Sequence, residues 1–107
     1  MAETSDILVV TTTVATPEDA KDLANLVLVE RLAACVQMTQ IHAYYHWQGE
    51  IVASEEVRLT FKSRPDLQGH LLSFLNTNHP YETPQILCRN EQASADYAAW
   101  VQSETTS

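Results

Sequence analysis

The chain has 107 residues, of which 45% are hydrophobic and 19% charged, a composition typical of one globular domain with a modest core. The net charge is -8 and the chain has only six Lys and Arg, which argues against a nucleic-acid partner because phosphate backbones are bound by basic surfaces. No apolar stretch approaches the roughly 20 residues of a membrane span, and residues 1–6 lack the basic and apolar segments of a signal peptide. We therefore predict a cytoplasmic protein with no membrane partner, with one domain over residues 1–107 and an ordered core over residues 6–102.

The first third of the chain contains a strand signal followed by a helix signal. Residues 7–10 are all apolar and precede three threonines, which indicates a central strand covered on both faces. Thr16 and Pro17, followed by two acids, indicate the start of a helix, because Thr caps, Pro fits the first turn and acids suit the positive end of the dipole. The buried stripe of this helix is predicted to be Ala20, Leu23, Ala24, Val27 and Leu28, with Arg31 in the last turn.

Residues 35–62 predict one long β-hairpin, because they contain no proline and are rich in the β-branched and aromatic side chains that suit strands. Gly49 can take the positive φ of a two-residue loop with Gln48, and this loop places Trp47 opposite Glu50. The tip of the hairpin is then apolar on both faces, one carrying Ile41, Ala43, Tyr45 and Trp47 and the other Tyr44, His46 and Ile51.

The length of this hairpin predicts an oligomer. Thirteen residues per strand reach roughly 43 Å, whereas strands in small domains span about 17–20 Å. An apolar ribbon that overruns its own subunit is prone to aggregate, so we infer that other copies of the chain cover it. The alternative is a bent hairpin that a bulge folds back onto its own core.

The remainder of the chain predicts a helix, an edge strand and a last helix. Residues 63–66 start the first of these helices and residues 76–79 end it, with Leu67, Leu71, Phe74 and Leu75 as its apolar face. Residues 80–84 contain two prolines and are confined to a loop or sheet edge, and residues 85–88 form a short edge strand. The last helix follows Ser94, buries Tyr97, Trp100 and Val101, and gives way to a frayed tail at residues 104–107.

The predicted order is β-α-β-β-α-β with a terminal helix, the α+β arrangement called ferredoxin-like, in which the first and third strands are central. Cys35 and Cys88 then lie at opposite edges of the sheet, on the order of 14 Å apart, too far for an internal disulfide. Two cysteines without close spacing also make neither a disulfide scaffold nor a zinc ribbon.

Several groups of residues together resemble the CutA divalent-cation-tolerance proteins over about residues 7–100. They are RLAACV at residues 31–36, YHWQGEI at residues 45–51, Glu56-Val57, Lys62, and HPYE at residues 79–82 with Pro84. The resemblance implies a ferredoxin-like subunit in a very stable homotrimer whose long hairpins wrap neighbouring subunits. It also implies a role in tolerance of copper and other divalent cations, without established catalysis. Some members carry a second histidine and a first-strand cysteine where this chain has Asn78 and Thr12.

A few residues are candidates for metal binding. Thiolate and imidazole suit copper and zinc, which points to Cys35, Cys88 and His79, and the resemblance places His79 and Glu82 in the family's loop motif. We therefore predict that His79, Glu82 and Cys35 bind copper or another divalent cation in clefts between subunits. The alternatives are that Cys35 fills a strand as a small buried residue and that His79 fixes the turn before Pro80 through a hydrogen bond.

Other polar residues of the hairpin are better explained as structural. His42 and His46 share a strand face but lie about 13 Å apart, so they cannot bind one ion together. The hairpin glutamates are predicted to pair with hairpin cations: Glu50, Glu55 and Glu56 with Arg58 or Lys62.

Signals for catalysis are weak. The chain has no nucleophile-elbow spacing and no Cys-x-x-Cys, and its two glycines cannot form a phosphate-binding loop. We predict no enzymatic activity, although Lys62, His79 and Glu82 of different subunits could assemble a site. The alternative function is a ligand-sensing or scaffold trimer resembling nitrogen-regulatory signalling proteins, which binds a small anion or partner protein near Lys62 and Arg58.

Overall fold

The computed structural model describes residues 3–105, which form one antiparallel four-stranded sheet with helices packed on both faces. The elements are β1 (Thr4–Val14), α1 (Pro17–Val29), β2 (Cys35–Trp47), β3 (Glu50–Ser63), a 3₁₀ turn (Pro65–Leu67), α2 (Gln68–Asn78), β4 (Ile86–Ser94) and α3 (Ala95–Glu104). The strand order β2-β3-β1-β4 confirms the predicted ferredoxin-like arrangement with the first and third strands at the centre. Within residues 3–105, no helix combines the length and apolar character needed to cross a membrane.

The β2–β3 hairpin has the register that its loop predicts. Gln48 and Gly49 both adopt positive φ, 51° and 81°, and Trp47 lies opposite Glu50 while Cys35 lies opposite Lys62. Because side chains alternate along a strand, this single loop fixes the face of every residue in both strands.

The hairpin extends well beyond the rest of the sheet. Pairing between β1 and β3 ends at Val57, so the last part of the hairpin has no β1 beside it, and the longest dimension of the molecule is 49 Å against 30 Å and 21 Å for the others. At the tip, Tyr44, Trp47 and Ile51 are 77%, 61% and 75% exposed. The structure thus has the projecting hairpin with an exposed apolar tip that the sequence predicts.

The sheet separates two apolar clusters. On the face covered by α1 and α2, the buried side chains are Leu8, Val10, Val14, Leu59, Phe61, Leu23, Val27, Leu71 and Leu75, among others. On the opposite face, Ile7 and Val9 pack against Ala98 and Val101 of α3. Alternation along β1 therefore places Thr12 on the α1/α2 face, in line with Leu8 and Val10.

Helix α1 begins as predicted but ends differently. The Thr16 hydroxyl accepts a hydrogen bond from the Asp19 amide, and Pro17 is the first helical residue. Leu28 is 38% exposed rather than buried, because it lies about 100° around the helix from buried Val27. Arg31 lies beyond the helix in a left-handed conformation, φ 56°, and its Nη1 donates to the backbone oxygen of Glu104.

Helix α2 starts later than residues 63–66. Ser63 ends β3 and is buried, since its hydroxyl donates to the Leu32 carbonyl at 2.6 Å, and the 3₁₀ turn intervenes before the helix. Leu71 and Leu75 are fully buried, whereas Leu67 and Phe74 are half-buried at the edge of the same apolar face.

Strand β4 is longer than the predicted residues 85–88. It spans Ile86–Ser94, where the run Arg-Asn-Glu-Gln at residues 89–92 is exposed on both faces and so shows no alternation of polar and apolar side chains. Backbone pairing with β1 over Thr4 to Thr12 makes this run a strand.

Helix α3 buries less aromatic surface and reaches further than the sequence predicts. Val101 is buried and Tyr97 half-buried, but Trp100 is 44% exposed. Thr105, predicted to lie in a frayed tail, is buried with its hydroxyl donating to the Val101 carbonyl at 2.8 Å. Residues 106 and 107 of the predicted tail lie outside the described residues.

Candidate functional site

The candidate site is centred on His79, the residue that follows α2. Its amide donates to the Leu75 carbonyl at 2.9 Å and closes the last helical turn, and its ring is buried with 8% exposure. Pro80 and Pro84 prevent the chain from continuing as helix or as a paired strand, so residues 80–85 form the loop that leads into β4.

Both ring nitrogens of His79 have partners. Nδ1 lies 3.0 Å from the Tyr81 amide nitrogen, and Nε2 lies 2.9 Å from the Thr12 hydroxyl oxygen. An amide can only donate, so Nδ1 must be the acceptor and the ring proton of the neutral imidazole must be on Nε2. Nε2–H therefore donates to Thr12, whose own hydroxyl donates to the Gln85 carbonyl at 2.6 Å.

Burial decides the protonation state of this ring. Loss of hydration lowers the pKa of His79 below its ordinary value, against the opposing effects of a backbone hydrogen bond with Thr13 and the negative charge of Asp19. A neutral ring is also the form that the hydrogen bond from the Tyr81 amide requires. The two observations agree that His79 is uncharged at neutral pH.

The loop is joined to the hairpin through Tyr81. Its hydroxyl donates to Oε2 of Glu56 at 2.9 Å, and its ring lies 5.0 Å from that of His79. Burial first, and then the hydrogen bond and charge of Glu56, raise the pKa of Tyr81. We call these five residues, Thr12, Glu56, His79, Tyr81 and Gln85, the His79 network.

The other two predicted ligands lie outside this network. Glu82 is exposed in the loop, and Cys35 is a half-buried free thiol at the start of β2. Cys35 lies opposite Lys62, in line with Val9 on the α3 face, and burial and then this thiol raise the pKa of Tyr97 in α3. His79, through Thr12, is on the α1/α2 face, so the sheet of one chain separates Cys35 from His79. Among the described residues of a single chain, no group of three or more His, Cys, Asp or Glu is placed to hold a metal ion.

Comparison with known proteins settles the family. A sequence model of the CutA1 divalent ion tolerance protein matches residues 8–104. The chain belongs to the CutA1 family. The divalent-cation tolerance protein CutA of Yersinia pestis (strain Pestoides F) is 37% identical over 99 residues, which cover 91% of this chain and 83% of the relative. The resemblance noted in the sequence is thereby confirmed.

Solved structures of the family share the fold. CutA from Synechococcus elongatus PCC7942 has a TM-score of 0.92 at 32% identity, covering 99% of this chain and 95% of its own. The PII-like protein CutA from Nostoc sp. PCC 7120, solved in apo form, has a TM-score of 0.86 at 27% identity, covering 92% of this chain and 97% of its own. The long hairpin and the terminal helix are thus part of a known CutA architecture.

The hairpin of this CutA1-family chain uses its acids differently from the prediction. Glu55 lies 3.8 Å from the exposed imidazole of His42, and Glu56 accepts from Tyr81, so neither has the predicted Arg58 or Lys62 as its recorded partner. A cleft of about 290 Å³ runs along this part of the hairpin and the start of α1, and its wall includes Glu55 and Glu56.

Sequence reasoning named Thr12 only as the residue in place of a first-strand cysteine and missed its hydrogen bonds to His79 and Gln85. Its position in a central strand was predicted, but its partners are 67 and 73 residues away along the chain. One signal was present: a hydroxyl in a strand that is apolar on both faces needs a hydrogen-bond partner, and the strand itself offers none.

Proposed function

We propose that this chain is a homotrimeric divalent-cation tolerance protein that binds copper or another divalent cation between its subunits. The observation that carries the proposal is the separation of Cys35 from His79 by the sheet of one chain. Because of it, the Cys35 thiol and the His79 imidazole can reach one ion only when they come from different copies. Membership of the CutA1 divalent ion tolerance family supplies the link to cations.

The exposed hairpin tip supports assembly. Tyr44, Trp47 and Ile51 together form an apolar end that a lone chain would leave in water, which other copies can cover. The edge strands β2 and β4 also present unpaired backbone groups along their outer sides. Three copies, and a cytoplasmic location for them, stay predictions from the resemblance and the sequence.

The donor groups fit a soft or borderline ion. Cys35 offers a thiolate and His79 an imidazole, the groups that copper and zinc prefer, and the exposed Glu82 adds a carboxylate beside the loop. Both ring nitrogens of His79 are hydrogen-bonded, so this residue can bind an ion only by giving up one of these bonds. We propose that the function is binding rather than catalysis.

Titration calorimetry of the purified assembly with Zn²⁺ and with Cu⁺ tests the proposal. We expect saturable binding that Cys35→Ser and Glu82→Gln weaken, since each removes one donor from the site. Cys88→Ser is the matched control, because Cys88 is the other free thiol and lies at the opposite sheet edge. Sedimentation velocity on the same samples gives the number of copies. Absence of binding by either ion, or equal loss in the control, would end the proposal.

The PII-like relative favours a second candidate, a trimer that senses a small anion or a partner protein. Lys62 and Arg58 lie four residues apart on the α3 face of β3, where they offer positive charge to an anion. Screening of small phosphates and carboxylates with metal chelated would support this candidate if binding is lost in Lys62→Met and Arg58→Met. Retained binding in both variants would exclude it.

A further inference from the structure

The sheet face opposite α1 and α2 is only partly covered by α3. Helix α3 packs on Ile7 and Val9 of β1, and the following positions on this face lie beyond it. Thr11 lies two residues past Val9 on the same face and pairs with Thr60 of β3. Thr60 pairs in turn with Gln37 of β2. These three side chains form one polar row across three strands, in which both threonines are half-buried and Gln37 is exposed.

Two cations flank this polar row. Lys62 and Arg58 lie on either side of Thr60 along β3, each two residues away and on the same face. The other three arginines of the chain each lie within ion-pair distance of an acid. Within residues 3–105, Lys62 and Arg58 have no such partner, and the polar row makes no side-chain hydrogen bond. The donors of these five side chains are therefore open to a ligand.

The spacing of these donors fits an elongated anion better than a compact one. At about 3.3 Å per residue, the backbone positions of Lys62 and Arg58 are roughly 13 Å apart, and Thr60 lies midway between them. Neighbouring strands are about 4.8 Å apart, so Thr11 and Gln37 lie close on either side of Thr60. Arginine binds a phosphoryl group through its fork of N–H donors and lysine binds one as a point charge. Hydroxyl and amide groups between the cations can donate to the remaining oxygens.

The two ends of this region limit the length of the anion. Glu56 is the next residue after Arg58 on this face of β3, and its carboxylate accepts from the Tyr81 hydroxyl at 2.9 Å. Its negative charge repels an anion that extends past Arg58. At the opposite end β3 stops at Ser63 and α3 covers the sheet. The interval between the two cations is thus the space that the anion can use.

We propose that this face binds an oligophosphate, a chain of two or three phosphoryl groups that spans from Lys62 to Arg58 over the polar row. The proposal rests on the anion-binding candidate given above and names its ligand class. An oligophosphate places a phosphoryl group near each cation, whereas inorganic phosphate contacts one cation at a time. The preference for the longer anion is therefore the property that distinguishes this site.

Titration calorimetry of the purified assembly, passed over a chelating resin to remove metal ions, compares sodium triphosphate with inorganic phosphate. We expect triphosphate to bind about tenfold or more tightly than phosphate, and Lys62→Met and Arg58→Met each to reduce this ratio to about threefold. Lys21→Met is the matched control, because Lys21 is an exposed lysine of α1. Equal affinities for the two anions would overturn the oligophosphate site and leave a sensor of small anions intact. No binding of either anion would overturn both, and an equal loss in Lys21→Met would overturn the assignment to this face.

Two further variants test the polar row separately from the charges. Thr60→Val keeps the branched shape and removes the central hydroxyl, so triphosphate affinity should fall about fivefold to tenfold. Thr4→Val is the matched control, the same change at the exposed start of β1, and should leave the affinity unchanged. Gln37→Met repeats the test at an exposed position, and circular dichroism checks that each variant is folded. Unchanged triphosphate binding in both Thr60→Val and Gln37→Met would show that the polar row takes no part, and the proposal would be wrong.

Discussion

The hydrogen bond between Tyr81 and Glu56 should contribute measurably to stability, and a double-mutant cycle isolates it. Tyr81→Phe removes the donor, Glu56→Ala removes the acceptor, and the double variant removes both. The oxygen atoms are 2.9 Å apart and both residues are half-buried. A hydrogen bond to a charged group contributes about 1.5–3 kcal/mol, and partial exposure reduces this, so we expect a coupling free energy of about 1–2 kcal/mol.

Urea unfolding of the four proteins, followed by circular dichroism, gives the four free energies of unfolding that the cycle needs. The protein concentration must be the same throughout, because the stability of an oligomer depends on it. The bond between Ser54 and Tyr45 is the matched control: it also joins a tyrosine hydroxyl to a side chain of the hairpin, but it is exposed and 3.3 Å long. We expect coupling within about 0.5 kcal/mol of zero there. Additive effects for Tyr81 and Glu56 would refute the view that the loop is fastened to the hairpin.

Three further predictions concern acidity, the core and the hairpin tip. Burial lowers the pKa of His79 from 6.5, so folding favours the neutral ring. The stabilisation that the protein keeps with this ring neutral is fully present above pH 6.5 and is lost as the pH falls below that value, because the unfolded chain then takes up a proton more readily than the folded one. Thermal melts between pH 7.5 and 5 should show this loss, and His79→Gln should reduce it. Phe61→Ala should lower the free energy of unfolding by about 3–5 kcal/mol, because the ring is fully buried, and half-buried Phe74→Ala by clearly less in the same urea assay. Trp47→Ser should shift sedimentation toward smaller species with an unchanged circular dichroism spectrum, whereas the exposed Val29→Ser should not; equal behaviour would place the tip outside the interface.

The hairpin shows how much a short stretch of sequence can specify. Gly49 accepts positive φ, a two-residue loop follows, and the period of two along each strand then places Cys35 opposite Lys62, the thirteenth pair from the loop. The same local logic gave the Thr16 cap of α1. Local patterns underestimated the length of β4, because residues 89–92 have no apolar face and form a strand only through their pairing with β1.

The candidate site was accessible to sequence reasoning only in part. The HPYE motif pointed to His79 and Glu82, and a turn-fixing hydrogen bond was one of the readings open for His79. The register places Cys35 on the α3 face, but His79 follows α2 and lies in no strand, so the strand pattern did not reveal that the sheet separates the two candidates. The partner Thr12, by contrast, has no local mark that names His79.

The amino-acid sequence by itself determined the order of elements and the hairpin register, because turn chemistry and side-chain alternation act between residues close together along the chain. Its motifs, HPYE among them, gave the resemblance to the CutA family. Tertiary structure alone decided the state of His79, since its partner Thr12 is 67 residues away and the burial that keeps the ring neutral comes from the packed α1/α2 face. It also decided that Glu56 pairs with Tyr81 across 25 residues rather than with a neighbouring cation on the hairpin. Contacts of this kind form only when the chain folds and the loop packs against β1, which brings together residues that are far apart in sequence.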